Sequence, residues 1–212
     1  MRKTHKVAVI DYGMGNVWSV ISALKYLGAE VDLVKDPSLL QNYSSIVLPG
    51  VGSFKKGMEL LRQSELDKAI VDRVKGHDVN ILGICLGMQL LASKGMEHGE
   101  TDGLGLIPGV VERFTRNELP ELKIPHVGFN AIKISEPAGL FVDIPDYSYF
   151  YFTHSYRLLA SEISAKRSAL CSYGIDFLAA FEIDNICGAQ FHPEKSQTNG
   201  LIMLRNFLRL TR

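Results

Sequence analysis

Net charge is the first thing this chain lacks: 23 Lys and Arg face 23 Asp and Glu across 212 residues. With no overall field to draw it onto polyanions, a dedicated nucleic-acid binder is not expected. Cysteine is scarce too. Cys85, Cys171 and Cys187 form an odd set with no C-x-x-C pair, which suits neither a disulfide framework nor a structural zinc site, so reduced thiols are expected. Among His5, His77, His98, His126, His154 and His192, no two stand at H-x-H or H-x-x-x-H spacing, so the expectation is no metal. Long apolar runs are missing: behind the basic start, only residues 7–10 are apolar before Asp11, against the ~18 residues of a membrane span. With no lipidation pattern either, a cytoplasmic protein without a membrane partner is expected. No linker, repeat or low-complexity segment divides the chain. At roughly 150 residues per domain, a single domain over 1–212 is the expectation.

What is present is the material of a proper core, 46% hydrophobic and 22% charged residues, with 19 Gly beside 8 Pro. Short apolar runs alternate with helical patterns: strand 7–10, helix 17–27 closed by Gly28, strands 31–34 and 46–48, helices 58–62 and 66–74, strand 79–84, and a helix from 86 to about 93. This alternation predicts an α/β fold, a doubly wound, mostly parallel sheet with helices on both faces. Beyond Gly103 the strands crowd together at 110–114, 130–134, 147–153, 177–181 and 186–191, predicting strands that extend or flank the sheet, mostly antiparallel, before a final helix at 200–210.

The chemistry concentrates at Gly83-Ile84-Cys85-Leu86-Gly87, where a buried strand hands over to a helix. It is the thiol counterpart of the G-x-S-x-G elbow: flanking glycines make room for a sharp turn that pushes one side chain above the sheet. A helix N-terminus there also favours thiolate. The plainer alternative is a buried structural cysteine. A nucleophilic thiol needs a base, and His192 directly follows a strand, two residues before Glu194. Across Pro193 in an extended segment both side chains point one way, so Glu194 can orient the imidazole; alternatively, His-Pro-Glu is a strand-ending turn. Leu86 supplies one oxyanion donor by position, and the loop Pro49-Gly50-Val51-Gly52-Ser53 could supply the second, or could be a turn with Ser53 as helix cap. Gln89, four residues after Cys85, shares its helix face and is a candidate substrate contact, unless simply solvated. Gly13-Met14-Gly15 after the first strand, with Asp32 downstream, imitates a dinucleotide fingerprint, but Trp18 stands where Gly or Ala is wanted.

Taken in order, Pro49 to Phe54, Gly83 to Leu91, Thr153-His154-Ser155-Tyr156 and Gln190 to Ser196 resemble the class I (triad) glutamine amidotransferases over most of the chain. Asp11 to Asn16 and Pro125-His126-Val127-Gly128-Phe129-Asn130 narrow the resemblance to glutaminase subunits of imidazole glycerol phosphate synthases. The resemblance implies a flavodoxin-like fold and no cofactor. It implies a Cys85-His192-Glu194 triad that hydrolyses glutamine to glutamate and ammonia, with Gly52 and Leu86 as the oxyanion hole. Gln89, Gly50, Val51 and the backbone of His154, Ser155 and Tyr156 would hold the substrate. The implied partner is a (β/α)₈ cyclase subunit in a heterodimer, met at or near Tyr12, Asn16, Phe129, Asn130 and Lys195. On partner binding, the 50–52 loop is expected to move between inactive and active backbone states. Val127 and Phe129 stand where Met and Trp are usual, and Gln197-Thr198-Asn199 replaces a shorter step. These departures keep open a paralogue that supplies ammonia for amidination of a nucleotide-linked sugar in surface polysaccharide synthesis. Two rivals of other classes are a regulatory protein that kept the fold and a free-standing cysteine hydrolase.

Overall fold

The structure, a computed structural model, describes residues 6–76, 79–159, 165 and 167–210; His5 and the residues before it, and His77, lie outside the described residues. The first half runs β1 (Lys6–Ile10), α1 (Val17–Tyr26), β2 (Glu30–Val34), β3 (Ser45–Gly50), α2 (Phe54–Gln63), α3 (Leu66–Gly76), β4 (Asn80–Cys85) and α4 (Leu86–Leu90). The second half runs β5 (Lys94–Gly95), β6 (Thr101–Asp102), β7 (Val110–Arg113), β8 (His126–Ile134), β9 (Tyr149–His154), β10 (Tyr156–Leu158), β11 (Arg167–Tyr173), β12 (Ile175–Ile183), β13 (Ile186–Ala189) and α5 (Gln197–Leu210).

Nine strands form the main sheet in the order β2-β1-β3-β4-β13-β12-β11-β8-β9. The first five are parallel and the last four join antiparallel. The parallel part has the doubly wound, flavodoxin-like order, with the switch between β1 and β3. Strand β3 is buried at every position because helices cover both faces of its sheet. One core lies under α1 and α5, where Val20, Leu24, Met203 and Phe207 meet Phe150, Phe152, Phe177 and Phe191. The other lies under α2 and α3, with Met58, Leu61, Ile70 and Val74 against Ile46, Leu48 and Ile81. Among the described residues, no helix is long and apolar enough to cross a membrane.

Three differences from expectation have physical causes. The helix after Cys85 stops at Leu90, because the N–H groups of Leu104, Leu106 and Gly105 take the carbonyls of Leu90, Leu91 and Ala92. Strand 110–114 leaves the main sheet and pairs with β10 and β5 in a second sheet, order β10-β7-β5-β6. β11 is an unexpected strand; its fully buried positions include the small Ala169 and Cys171, which give little hydrophobic alternation to read.

Candidate active site

Cys85 ends β4 and precedes α4 with φ 54° and ψ −111°, a left-handed backbone that a non-glycine residue adopts only when its surroundings enforce it. The flanking glycines create the room: a Cβ on Gly87 would stand 1.7 Å from the Leu48 carbonyl oxygen, and one on Gly83 would be 2.7 Å from Met88 backbone atoms. Leu86, first in the helix, has an N–H with no acceptor inside the helix. Gly50 sits opposite Cys85 in the β3–β4 register, and the chain then turns through Gly52 at φ 116°. Ser53 makes no side-chain cap to α2; Glu97 instead accepts the Phe54 N–H at 2.7 Å. The glycine loop after β1 lies against this turn. A Cβ on Gly15 would be 3.5 Å from Gly50 Cα, and one on Gly52 would meet Met14 Cε at 2.3 Å. Asp32 is engaged by Lys6 at 3.4 Å and the Tyr43 hydroxyl at 2.7 Å.

His192 does not continue β13, which ends at Ala189, and residues 193–195 form one tight 3₁₀ turn where an extended segment was expected. The pairing with Glu194 survives that change: His192 Nδ1 donates to Glu194 Oε1 at 2.8 Å, with both side chains at most 3% exposed. Among the described residues Nε2 has no hydrogen-bond partner at normal distance. Burial pulls the imidazole pKa down, but interaction with Cys85 and Glu194 outweighs it and raises the value to about 9. The His192 backbone is clasped to β9. Its N–H donates to Tyr151 O at 2.9 Å, and Ser196 Oγ donates to its carbonyl at 2.6 Å while accepting the Tyr151 N–H at 3.0 Å.

A cavity of about 250 Å³ opens beside the thiol, lined by Val51, Gly52, Cys85, Leu86, Gln89 and residues 153–156. Gln89 Nε2 spends both hydrogens, one on Tyr156 O at 3.0 Å and one on Gln190 Oε1 at 2.9 Å. Gln190 Nε2 is 3.8 Å from Cys85 Sγ, which also lies 3.9 Å from Thr153 O. Gln190, fully buried, and Ser196 carry site geometry that the sequence reading missed. Both lie inside the 190–196 motif of the sequence, which was the available signal.

The expected partner-face residues divide. Phe129 is 45% exposed and Val127 55%, on one face of β8 beside Tyr151 of β9; Lys195 Nζ sits 5.8 Å over the Tyr151 ring. Asn16 is exposed, donating to Ser19 Oγ at 2.8 Å. Tyr12 lies deeper. It is 5% exposed, with its hydroxyl under Gly50, and burial followed by the charge at Cys85 pushes its ionisation well up. Strand alternation turns Asn130 to the opposite face from Phe129, where its amide meets His126.

A model of the family described as glutamine amidotransferase class-I matches residues 8–210. The chain is 43% identical, over 203 residues, to the imidazole glycerol phosphate synthase subunit HisH 1 of Parasynechococcus marenigrum (strain WH8102), covering 96% of this chain and 97% of that one. It is 42% identical over 206 residues to the subunit HisH of Moorella thermoacetica, covering 97% and 95%. Among solved structures, PurLQS from Thermotoga maritima superposes with a TM-score of 0.74 at 17% identity, covering 99% of this chain and 100% of that one. A crystal structure of a glutamine amidotransferase superposes with a TM-score of 0.72 at 20% identity, covering 97% and 98%. These likenesses show the fold.

Proposed function

The chain belongs to the class-I glutamine amidotransferases, and from that premise we propose that Cys85, His192 and Glu194 are the triad with which it hydrolyses glutamine to glutamate and ammonia. It is the glutaminase subunit of an imidazole glycerol phosphate synthase, acting in histidine biosynthesis. The residue assignment is carried by one observation: a cysteine held at positive φ beside a cavity, with a buried imidazole that interacts with it and whose Nδ1 is engaged by a carboxylate.

In this reading the Cys85 thiolate attacks the side-chain amide carbon, and the oxyanion forms against the Leu86 and Gly52 N–H groups. Losing one such donor typically costs about 2.7 to 4 kcal/mol of transition-state stabilisation. Protonated His192 passes its proton to the departing nitrogen, ammonia leaves, and a γ-glutamyl thioester remains. Water then attacks the thioester while His192 takes its proton; glutamate departs and the thiol is restored. Glu194 fixes the ring throughout. Gln89 Oε1, with its amide nitrogen fully engaged, is the natural acceptor for the α-ammonium of glutamine, and the backbone of His154, Ser155 and Tyr156 holds the rest of the amino-acid end.

The ammonia passes to a separate (β/α)₈ cyclase subunit, in a heterodimer docked on the face of Val127, Phe129 and Tyr151 beside Lys195. The synthase names of the relatives favour this acceptor over one that amidinates a nucleotide-linked sugar. Glutamate release is to be measured for the chain alone and with the cyclase subunit plus its nucleotide substrate, beside Cys85→Ala. Stimulation by the partner that vanishes in Cys85→Ala is expected; turnover surviving in Cys85→Ala would overturn the assignment.

A further inference from the structure

Two imidazoles lie together beneath the β8–β9 pairing, where His126 and His154 are directly opposite in register. His126 is stacked between Phe152 and Tyr173, at ring-centroid distances of 4.8 and 4.0 Å. Their hydrogen bonds run in one direction only. His154 Nδ1 is 2.8 Å from the Tyr156 carbonyl, which can only accept, so Nδ1 carries the proton. In a neutral ring Nε2 is then an acceptor, and the atom 3.0 Å away, His126 Nδ1, must donate to it. His126 Nε2 accepts in turn from Asn130 Nδ2 at 2.5 Å. Burial keeps both rings neutral, lowering the His126 pKa to about 4 and that of His154 to about 3. At the far end, the Tyr156 carbonyl also accepts from Gln89 Nε2, which fills its second lone pair. The Gln89 amide therefore has one orientation, with Nε2 toward Tyr156 and Gln190, in a side chain that lines the cavity.

We propose that His126 and Asn130 are positioning residues for glutamine recognition: through His154 they fix the Tyr156 carbonyl and the Gln89 amide, and so aim Gln89 Oε1 at the substrate's α-ammonium. The inference rests on the assignment of this cavity to glutamine. Without the His126 donor, His154 Nε2 is buried with no partner, and its ring gains by shifting the proton to Nε2. Nδ1 then faces the Tyr156 carbonyl acceptor to acceptor, and the anchor of Gln89 is lost.

The first test needs no substrate. Ring-nitrogen chemical shifts of isotope-labelled wild-type protein, assigned with His126→Asn, should report the neutral Nδ1–H tautomer at both His126 and His154 near neutral pH; an Nε2–H tautomer at either overturns the chain of donors. The second test is kinetic, in the complex with the cyclase subunit. His126→Phe keeps the stacking and removes the donor, whereas His126→Asn keeps a donor near the Nδ1 position. Because the contact acts on bound substrate and transition state alike, His126→Phe should raise KM for glutamine about tenfold with kcat within about twofold. His126→Asn should restore most of the affinity. Alkylation of Cys85 by iodoacetamide should keep its wild-type rate in both. An unchanged KM in His126→Phe overturns the proposal, as does a joint collapse of kcat and alkylation, which marks general damage. Should the wild-type complex hydrolyse no glutamine, the glutaminase reading itself has failed and the recognition role falls with it, a result told apart from the others by its appearance in wild type.

Discussion

Cys85 differs from the two other cysteines by position alone. Burial raises the Cys171 pKa to about 12 and pushes Cys187 well above its usual value, while Cys85 lines the cavity. Iodoacetamide on the native protein should therefore modify Cys85 and spare the other two, as peptide mass mapping would show. His192 and the His126–His154 pair respond to pH with opposite signs. His192 is raised, so its charge stabilises the fold fully below its unfolded value near 6.5 and that contribution is lost as pH climbs through about 9. In Glu194→Gln the alkaline limb of glutaminase activity should move to lower pH and kcat should fall about a hundredfold to ten-thousandfold, read from pH–rate profiles. His126 and His154 are lowered, so below about pH 6.5 the unfolded chain binds protons that the folded rings refuse. Stability should fall between that pH and about 3, as urea titrations across the range would show. Cys85, His192, Glu194 and Gln89 were legible because each stands in a short motif with a strand or helix beside it. His126 and Gln190 were not, since their partners, His154 and Gln89, come to them through strand pairing and helix packing.

Elements were legible where their period was long enough to show. Helices α1 to α3 and strands β1 to β4 carry clean apolar stripes, and their observed bounds fall within a few residues of the expected ones. The two-residue strands β5 and β6 have no period to detect, and α4 ends where a distant loop captures its carbonyls, which no local pattern encodes. The elbow between β4 and α4 depends on absent side chains. Gly87→Ala should cost about 3 kcal/mol or more, because its methyl would overlap the Leu48 carbonyl, and chemical denaturation would measure the loss. Gly52 presents the complementary case: proline's fixed negative φ is incompatible with φ 116°. If the 50–52 loop supplies the second oxyanion donor on activation, Gly52→Pro should lower partner-stimulated kcat about a hundredfold or more. Stimulation left intact would show that the loop has no such role.

For the whole molecule, the sheet brings β3, β4 and the residues after β13 to one edge, the carboxyl ends of parallel strands where such folds place their ligands. The βαβ alternation foretold that arrangement, but not that β8 and β9 would lie at the far margin with Val127 and Phe129 facing outward. Phe129→Asp should weaken cyclase binding about tenfold or more by calorimetry, with little change in the unfolding midpoint of the isolated chain, since the ring lies at the surface. The position of β13 has a consequence for biosynthesis on the ribosome. It slots between β4 and β12, so during translation the Cys85 strand waits, with one flank bare, until residues 186–189 have emerged. His192 and Glu194 follow within a few codons. While residues 86–191 are added, the nascent chain carries its thiol without His192 and, until β13 has emerged, without a finished sheet to hold it. The proposed nucleophile and base are thus joined only once residues 192–194 have emerged, so a chain stalled between Cys85 and His192 lacks the proposed base.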